Sequence, residues 1–191
     1  RKWLDLAYPA GNYQIQIETP GNNQYNVSLY LADEDFGEAP LITLKQDGKK
    51  IAVDRVDPDK DLVFSWSPFS SGKKDPRKIL DDLILIGIYS CRNETVAFLG
   101  RPNDGKNIIR FNDTEHSLAK GKLEAGQSYA MFLEHARLTD TGKQHGFLRI
   151  AAIAPQTYLD FKTTGKTVAG RECPTQLPRF EPGQTDRLPL Q

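Results

Sequence analysis

Leu62-Val63-Phe64-Ser65-Trp66-Ser67-Pro68 is the stretch that decides the fold. Side chains alternate along an extended chain, so Leu62, Phe64 and Trp66 share one face and Val63, Ser65 and Ser67 the other. Three large apolar groups against small polar ones mark a strand with one face in a core. Downstream, Leu123-Glu124-Ala125-Gly126-Gln127-Ser128-Tyr129 runs into Met131 and Leu133 at the same two-residue spacing. There a leucine closes one strand, a glycine turns the chain, and a tyrosine opens the next with its hydroxyl in reach of nearby backbone.

Working outward, short alternating or apolar runs recur at Asn12 to Glu18, Gln24 to Leu31, Leu41 to Leu44, Leu83 to Cys91, Thr95 to Leu99, Asn107 to Phe111, Tyr129 to Leu138, Phe147 to Ala154 and Thr157 to Lys162. Pro20-Gly21 suits a tight turn closing an N-terminal hairpin. Asp47-Gly48, Asp104-Gly105 and Gly142 supply residues that tolerate positive φ between the later runs. Helical periodicity is confined to a weak signal around Pro76 to Asp82. Many strands with regular turns predict an all-β sandwich or barrel. After Gly165 the alternation stops, and Pro174, Pro178, Pro182 and Pro189 keep the chain extended. We therefore expect one β-sandwich domain over residues 1–165, with N-terminal strands in 1–38 and the core in 39–165, and a Pro-rich tail over 166–191.

The chain resembles fibronectin type III and related Ig-like domains. The resemblance rests on Leu62-x-Phe64-x-Trp66-x-Pro68, on the corner Leu123-x-x-Gly126-x-x-Tyr129, and on Pro40-Leu41-Ile42-Thr43 followed by Asp47-Gly48, which looks like the first strand and turn of such domains in bacterial exported proteins. It covers roughly Ala39 to Gly165. The N-terminal hairpin, an insertion from Ser70 to Asp82 and the tail depart from it. The resemblance implies an antiparallel sandwich that serves as a binding or spacer module, and it transfers no active-site residues.

Charge and composition narrow the rest. Lys plus Arg number 25 against 25 Asp plus Glu, which leaves no basic field to attract nucleic acid. The longest apolar run, Leu83 to Tyr89, is far short of the roughly 20 residues of a spanning helix, so no membrane insertion is expected. The single methionine is Met131, so a leader, tag or earlier domain is expected to have preceded Arg1. Cys91 and Cys173 fit neither a CxxC motif nor a four-ligand zinc site. Either they bridge, constraining the unfolded chain by on the order of 4 kcal/mol, or they are two separate thiols. With the sequons at Asn26, Asn93 and Asn112, they tilt the reading toward a secreted or periplasmic protein.

The chain lacks a Gly-x-Ser-x-Gly elbow and any His-Glu-x-x-His spacing among His116, His135 and His145. His135 continues the parity of Tyr129, Met131 and Leu133, which predicts a histidine at the wet end of a core strand. Nothing in the sequence around Cys91 marks it as an activated nucleophile. Asp75, Asp81 and Asp82 flank a small-residue loop and are candidates for a glycosidase acid/base pair or for calcium oxygens; turn caps are the plainer reading. Asp57-x-Asp59-x-Asp61 begins like a calcium loop, but Leu62 and Pro68 stand where its glycine and glutamate belong, so only a loose calcium site remains. No cofactor is implied. Tyr8, Tyr13, Tyr25 and Tyr30 crowd the N-terminal hairpin; with Trp3 the pair Tyr13 and Tyr25 suggests a ligand platform, while rings that cover one sheet of the sandwich are the plainer reading. The expectation is a non-catalytic exported module that contacts a protein or surface glycan partner, with a carbohydrate-binding sandwich second and a carboxylate-dependent hydrolase or lyase third.

Overall fold

The structure is a computed structural model that describes residues 7–34, 37–102, 105 and 107–174. Its strands in chain order are β1 (Gly11–Thr19), β2 (Asn23–Leu31), β3 (Ile42–Gln46), β4 (Lys49–Lys50), β5 (Leu62–Trp66), β6 (Leu83–Ser90), β7 (Thr95–Leu99), β8 (Ile109–Arg110), β9 (Glu115–Leu118), β10 (Ser128–Gln144), β11 (Phe147–Ile153) and β12 (Gln156–Lys162). They pair antiparallel into a hairpin, β1-β2, a four-stranded sheet ordered β4-β3-β5-β9, and a six-stranded sheet ordered β11-β10-β6-β7, with β12 on β10 and β8 on β6.

The two larger sheets face each other across one apolar core. Leu62, Phe64 and Trp66 are buried from the smaller sheet, as their alternation requires. Ile84, Ile86, Ile88, Tyr129, Met131 and Leu133 meet them from β6 and β10, and Phe161 from β12. The Trp66 indole N–H donates to the Asp113 carbonyl at 2.9 Å, so its one polar atom is satisfied on burial.

At the corner before β10, the Glu124 N–H donates to the Tyr129 hydroxyl at 2.6 Å. Gly126 has φ +67°, and its N–H donates to the Thr164 carbonyl at 3.0 Å. A Cβ there would lie 2.6 Å from the Thr167 nitrogen, so the corner requires glycine. Leu123 is buried beside it.

Several segments differ from the sequence expectation. The Pro76 to Asp82 stretch is a set of turns, because the Asp75 carboxylate accepts the N–H groups of Arg77, Ile79 and Leu80 and so competes with a helical ladder. The Asn107 to Phe111 run shrinks to the two residues of β8, and β9, Glu115–Leu118, was not anticipated. Gly142 is not a turn. It lies buried within β10, where a Cβ would overlap the Arg149 guanidinium. The chain reverses instead at His145-Gly146, with φ of +52° and +85°.

β10 is consequently long. Its first half pairs with β12 and β6, its second half with β11, and β11 and β12 hold one register along it, apart from a bulge between Leu138 and Asp140. The distal β10-β11 arm carries the β1-β2 hairpin. The outward groups of β2 meet side chains rising from that arm. Ser28 N–H donates to Gln144 at 3.1 Å and Tyr30 N–H to Asp140 at 3.1 Å, while Arg149 donates to the Ser28 carbonyl at 2.8 Å.

Asp104, Trp3 and tail residues 175–191 lie outside the described residues. The start of the predicted tail is pinned to the body. Cys91 and Cys173 stand at disulfide distance, with Cα atoms 5.4 Å apart across a sequence separation of 82. Arg171 pairs with Glu124, and its carbonyl accepts from Arg92.

Candidate binding surface

The outer face of the larger sheet follows from the core parity. With Met131 and Leu133 inward, Phe132 points out; with Ile86 and Ile88 inward, Gly87 and Tyr89 are out of step with the core. The registers Tyr158↔Phe132, Phe132↔Gly87 and Gly87↔Phe98 then form a single rung across β12, β10, β6 and β7. Gly87 decides its shape. A Cβ at this position would overlap the Phe132 ring, so the absence of a side chain lets the phenylalanine lie over β6 toward β7.

The rings form a connected row. Phe132 meets Phe98 edge-on at 5.7 Å and 69°, Tyr158 at 6.4 Å and 57°, and Tyr89, one step diagonal to the rung, at 6.3 Å with planes only 24° apart. Arg101 sits over Phe98 with its guanidinium carbon 4.0 Å from the ring centroid. Glu134 and Gln156, hydrogen-bonded to each other, close one side. Burial pushes the Glu134 carboxyl and the Tyr89 and Tyr158 hydroxyls above their ordinary pKa values, and the neighbouring Glu134 adds to the effect on both tyrosines. Tyr158 is 56% exposed, whereas Phe132, Tyr89 and Phe98 are half-buried. The row offers ring faces, a cation and a carboxylate to a ligand.

The structure does not gather the hairpin tyrosines into a platform. Tyr13 opposes Leu29 and Tyr25 opposes Ile17, so the two share a face but stand about four residues apart, roughly 13 Å. Tyr13 ties its hydroxyl to the Pro9 carbonyl at 2.6 Å. Tyr25 packs edge-on against Phe147 at 5.4 Å. Tyr30 lies on the opposite face of the hairpin, and Tyr8 precedes it, 62% exposed.

The aspartates hold turns. Asp57 accepts from the Asp59 N–H at 3.0 Å, and Asp61 from the Lys120 N–H at 2.8 Å. Gln46, buried at the end of β3, clasps the Asp57 backbone in both directions at 2.8 Å. Asp75 also accepts from the Thr141 hydroxyl, Asp81 from the Asp75 N–H, and Asp82 from the N–H groups of Lys73 and Leu138. Backbone donation holds the Asp75 carboxyl well below the usual range, while burial pushes Asp82 up. Among the described residues no three His, Cys, Asp or Glu side chains are gathered to hold a metal.

His135 is not at a wet strand end. Because β10 runs on to Gln144, the histidine falls mid-strand, 3% exposed, stacked on Phe69 at 4.6 Å and 9°. Its Nε2 has no hydrogen-bond partner, and burial lowers its pKa to about 4. His116 is also lowered by burial. His145 lies in the β10-β11 turn against Tyr25.

Comparison with protein families, curated proteins and solved structures finds no match to this chain. The aromatic row escaped the sequence reading because each ring sits on a different strand. The available signal was parity: Phe132 and Tyr89 fall out of step with the apolar neighbours that define the core face.

Proposed function

We propose that the protein is a non-catalytic, exported Ig-like module of the fibronectin type III kind that contacts a partner protein through the aromatic row Tyr158, Phe132, Tyr89 and Phe98. The Ig-like assignment is supported by strand order. Ig-like sandwiches put their first, second and fifth core strands in one sheet and the third, sixth and seventh in the other. Counted from β3 without the two-residue β4 and β8 and the arm strand β11, the same strands are β3, β5 and β9 against β6, β10 and β12. Export is supported by the Cys91 and Cys173 pair.

The observation that carries the function is the rung itself. Tyrosine, phenylalanine and arginine held rigidly on a sheet supply contact area at low cost in side-chain entropy, and these residue types dominate interface energetics. The carboxylates that invited an enzymatic reading are taken up by backbone amides.

A glycan is the second reading, favoured by the near-parallel planes of Tyr89 and Phe132, whose faces suit the apolar side of a sugar ring. The test compares wild type with Tyr158→Ala and Phe98→Ala in capture from the native source and on a polysaccharide panel, with and without calcium. Loss of a captured protein in both variants, with melting temperatures retained, supports the protein-contact reading. Saturable glycan retention lost in the same variants selects the carbohydrate reading. Binding unaffected by either substitution refutes the assignment of this surface.

A further inference from the structure

The two edges of the N-terminal hairpin are treated differently. On β2, the carbonyl of Asn26 and both backbone groups of Ser28 and Tyr30 meet Gln144, Asp140, Arg149 and Thr139, so these groups point away from β1. Residues directly opposite in an antiparallel ladder share the same state. Asn12, Gln14 and Gln16, which oppose Tyr30, Ser28 and Asn26, therefore turn their N–H and C=O groups outward along β1, as does Glu18 two residues on. Among the described residues β1 pairs with β2 alone.

Among the described residues this edge is lightly guarded. Gly11–Thr19 has no lysine, arginine or proline, its pairing with β2 runs without a bulge, and Glu18 is its one charge. The short edge strand β4, by contrast, is two lysines. Ile15, at the centre of β1, is 44% exposed and lies beside an apolar groove with Ile17, Val27, Leu29 and Phe147.

We propose that β1 pairs antiparallel with β1 of a second copy of this chain, joining two hairpins into a four-stranded sheet about a two-fold axis at Ile15. The register is set by self-complementarity. Outward residues must oppose outward residues, and centring on Ile15 overlaps the whole strand. Asn12 then opposes Glu18 of the other copy and Gln14 opposes Gln16, four symmetric pairs exchanging about eight backbone hydrogen bonds. Ile15 faces its own counterpart, and Tyr13 faces Ile17, so both faces match like with like. Charge fits as well: each Glu18 meets an asparagine, and no like charges are opposed. The aromatic row lies on another sheet and is not used.

The register makes the test specific. Ile15 and its counterpart form a non-hydrogen-bonded pair with Cα atoms about 4.5 Å apart, within disulfide range, whereas two copies of Tyr13 are roughly 13 Å apart. Under mild oxidation, Ile15→Cys is expected to give a covalent dimer at least about tenfold faster than Tyr13→Cys or Ile17→Cys alone. Tyr13→Cys mixed with Ile17→Cys is expected to crosslink. Sedimentation of the wild-type chain should show a concentration-dependent dimer. Gln14→Pro, which removes an outward N–H and leaves the β2 ladder intact, should weaken it by about tenfold or more. A wild-type chain that stays monomeric at rising concentration overturns the proposal, as does equal crosslinking of the three single cysteine variants.

Discussion

Acidification should destabilise the fold, and His135 is the group whose contribution can be isolated. His135 is 3% exposed, stacked on Phe69, with an unpartnered Nε2 and a pKa lowered by burial to about 4 from 6.5. The sign follows from proton counting. The unfolded chain protonates this imidazole as the pH falls below 6.5, while the folded chain does not until about 4, so the unfolded state binds more protons across that interval and stability falls with pH. At about 1.4 kcal/mol per pH unit, the interval sets a ceiling of roughly 3 kcal/mol, lost progressively and complete below about pH 4. For a chain of this length each kcal/mol is worth roughly 2–4 °C in melting temperature. The assay is urea denaturation of wild type and His135→Leu at several pH values from about 7.5 to 4.5. Wild type and variant share His116, Glu134, Asp82 and every other titrating group, so the difference between their pH profiles isolates His135. At neutral pH the variant should lie close to wild type, since it loses a ring stack but also a buried unsatisfied nitrogen. By pH 4.5 wild type should have lost most of the 3 kcal/mol relative to the variant. Parallel profiles, or an imidazole titrating near its ordinary value in proton NMR, would refute the reasoning.

Trp66→Ala should cost about 3–5 kcal/mol in equilibrium unfolding, since it empties a core position and orphans the Asp113 carbonyl; an unchanged melting temperature would remove Trp66 from the core. Tyr129→Phe should cost roughly 1–3 kcal/mol through the lost acceptor for the Glu124 N–H while leaving the ring packed on Phe161, and denaturation at neutral pH checks it. Replacing Cys91 and Cys173 together by serine should lower stability by on the order of 4 kcal/mol, read as a melting shift that a reducing agent reproduces in wild type but not in the variant.

The alternation of Leu62, Phe64 and Trp66 and of Tyr129, Met131 and Leu133 could be read directly because each of these strands has one face in water and one in the core, and that asymmetry writes a period of two. The same logic explains what was hidden. β10 continues to Gln144 beyond the core, where it is covered by the hairpin rather than by a second sheet, so its distal half carries polar residues such as Asp140 and Gln144 that read as loop. These are the groups that seal β2, a role fixed by partners about 110 residues away in sequence. The Asp75 to Asp82 loop left a catalytic candidate standing beside the plainer reading of turn caps for a related reason. Composition reports carboxylates but not the amides that occupy them, and only the folded loop reveals that Asp75 caps its own turn.

Tyr13 and Tyr25 illustrate the opposite case, in which residues close in sequence are candidates for one platform. The hairpin register sets them on separate rungs, and Tyr25 turns to the arm for its contact with Phe147. Tyr158, Phe132, Gly87 and Phe98 are scattered in sequence, yet antiparallel registers align them on one rung. A glycine at the centre of that rung is what makes the surface continuous, because any side chain at position 87 would lift Phe132 off β6. Gly87→Ala thus separates structure from surface: the overlapping group is the end of a side chain rather than backbone, so the ring can swing outward. The chain is expected to fold, with a cost of about 1–3 kcal/mol, while the contact between Phe132 and Phe98 is broken. If partner or glycan binding survives Gly87→Ala unchanged, the continuous row is packing on a sheet face, and the ligand surface lies elsewhere.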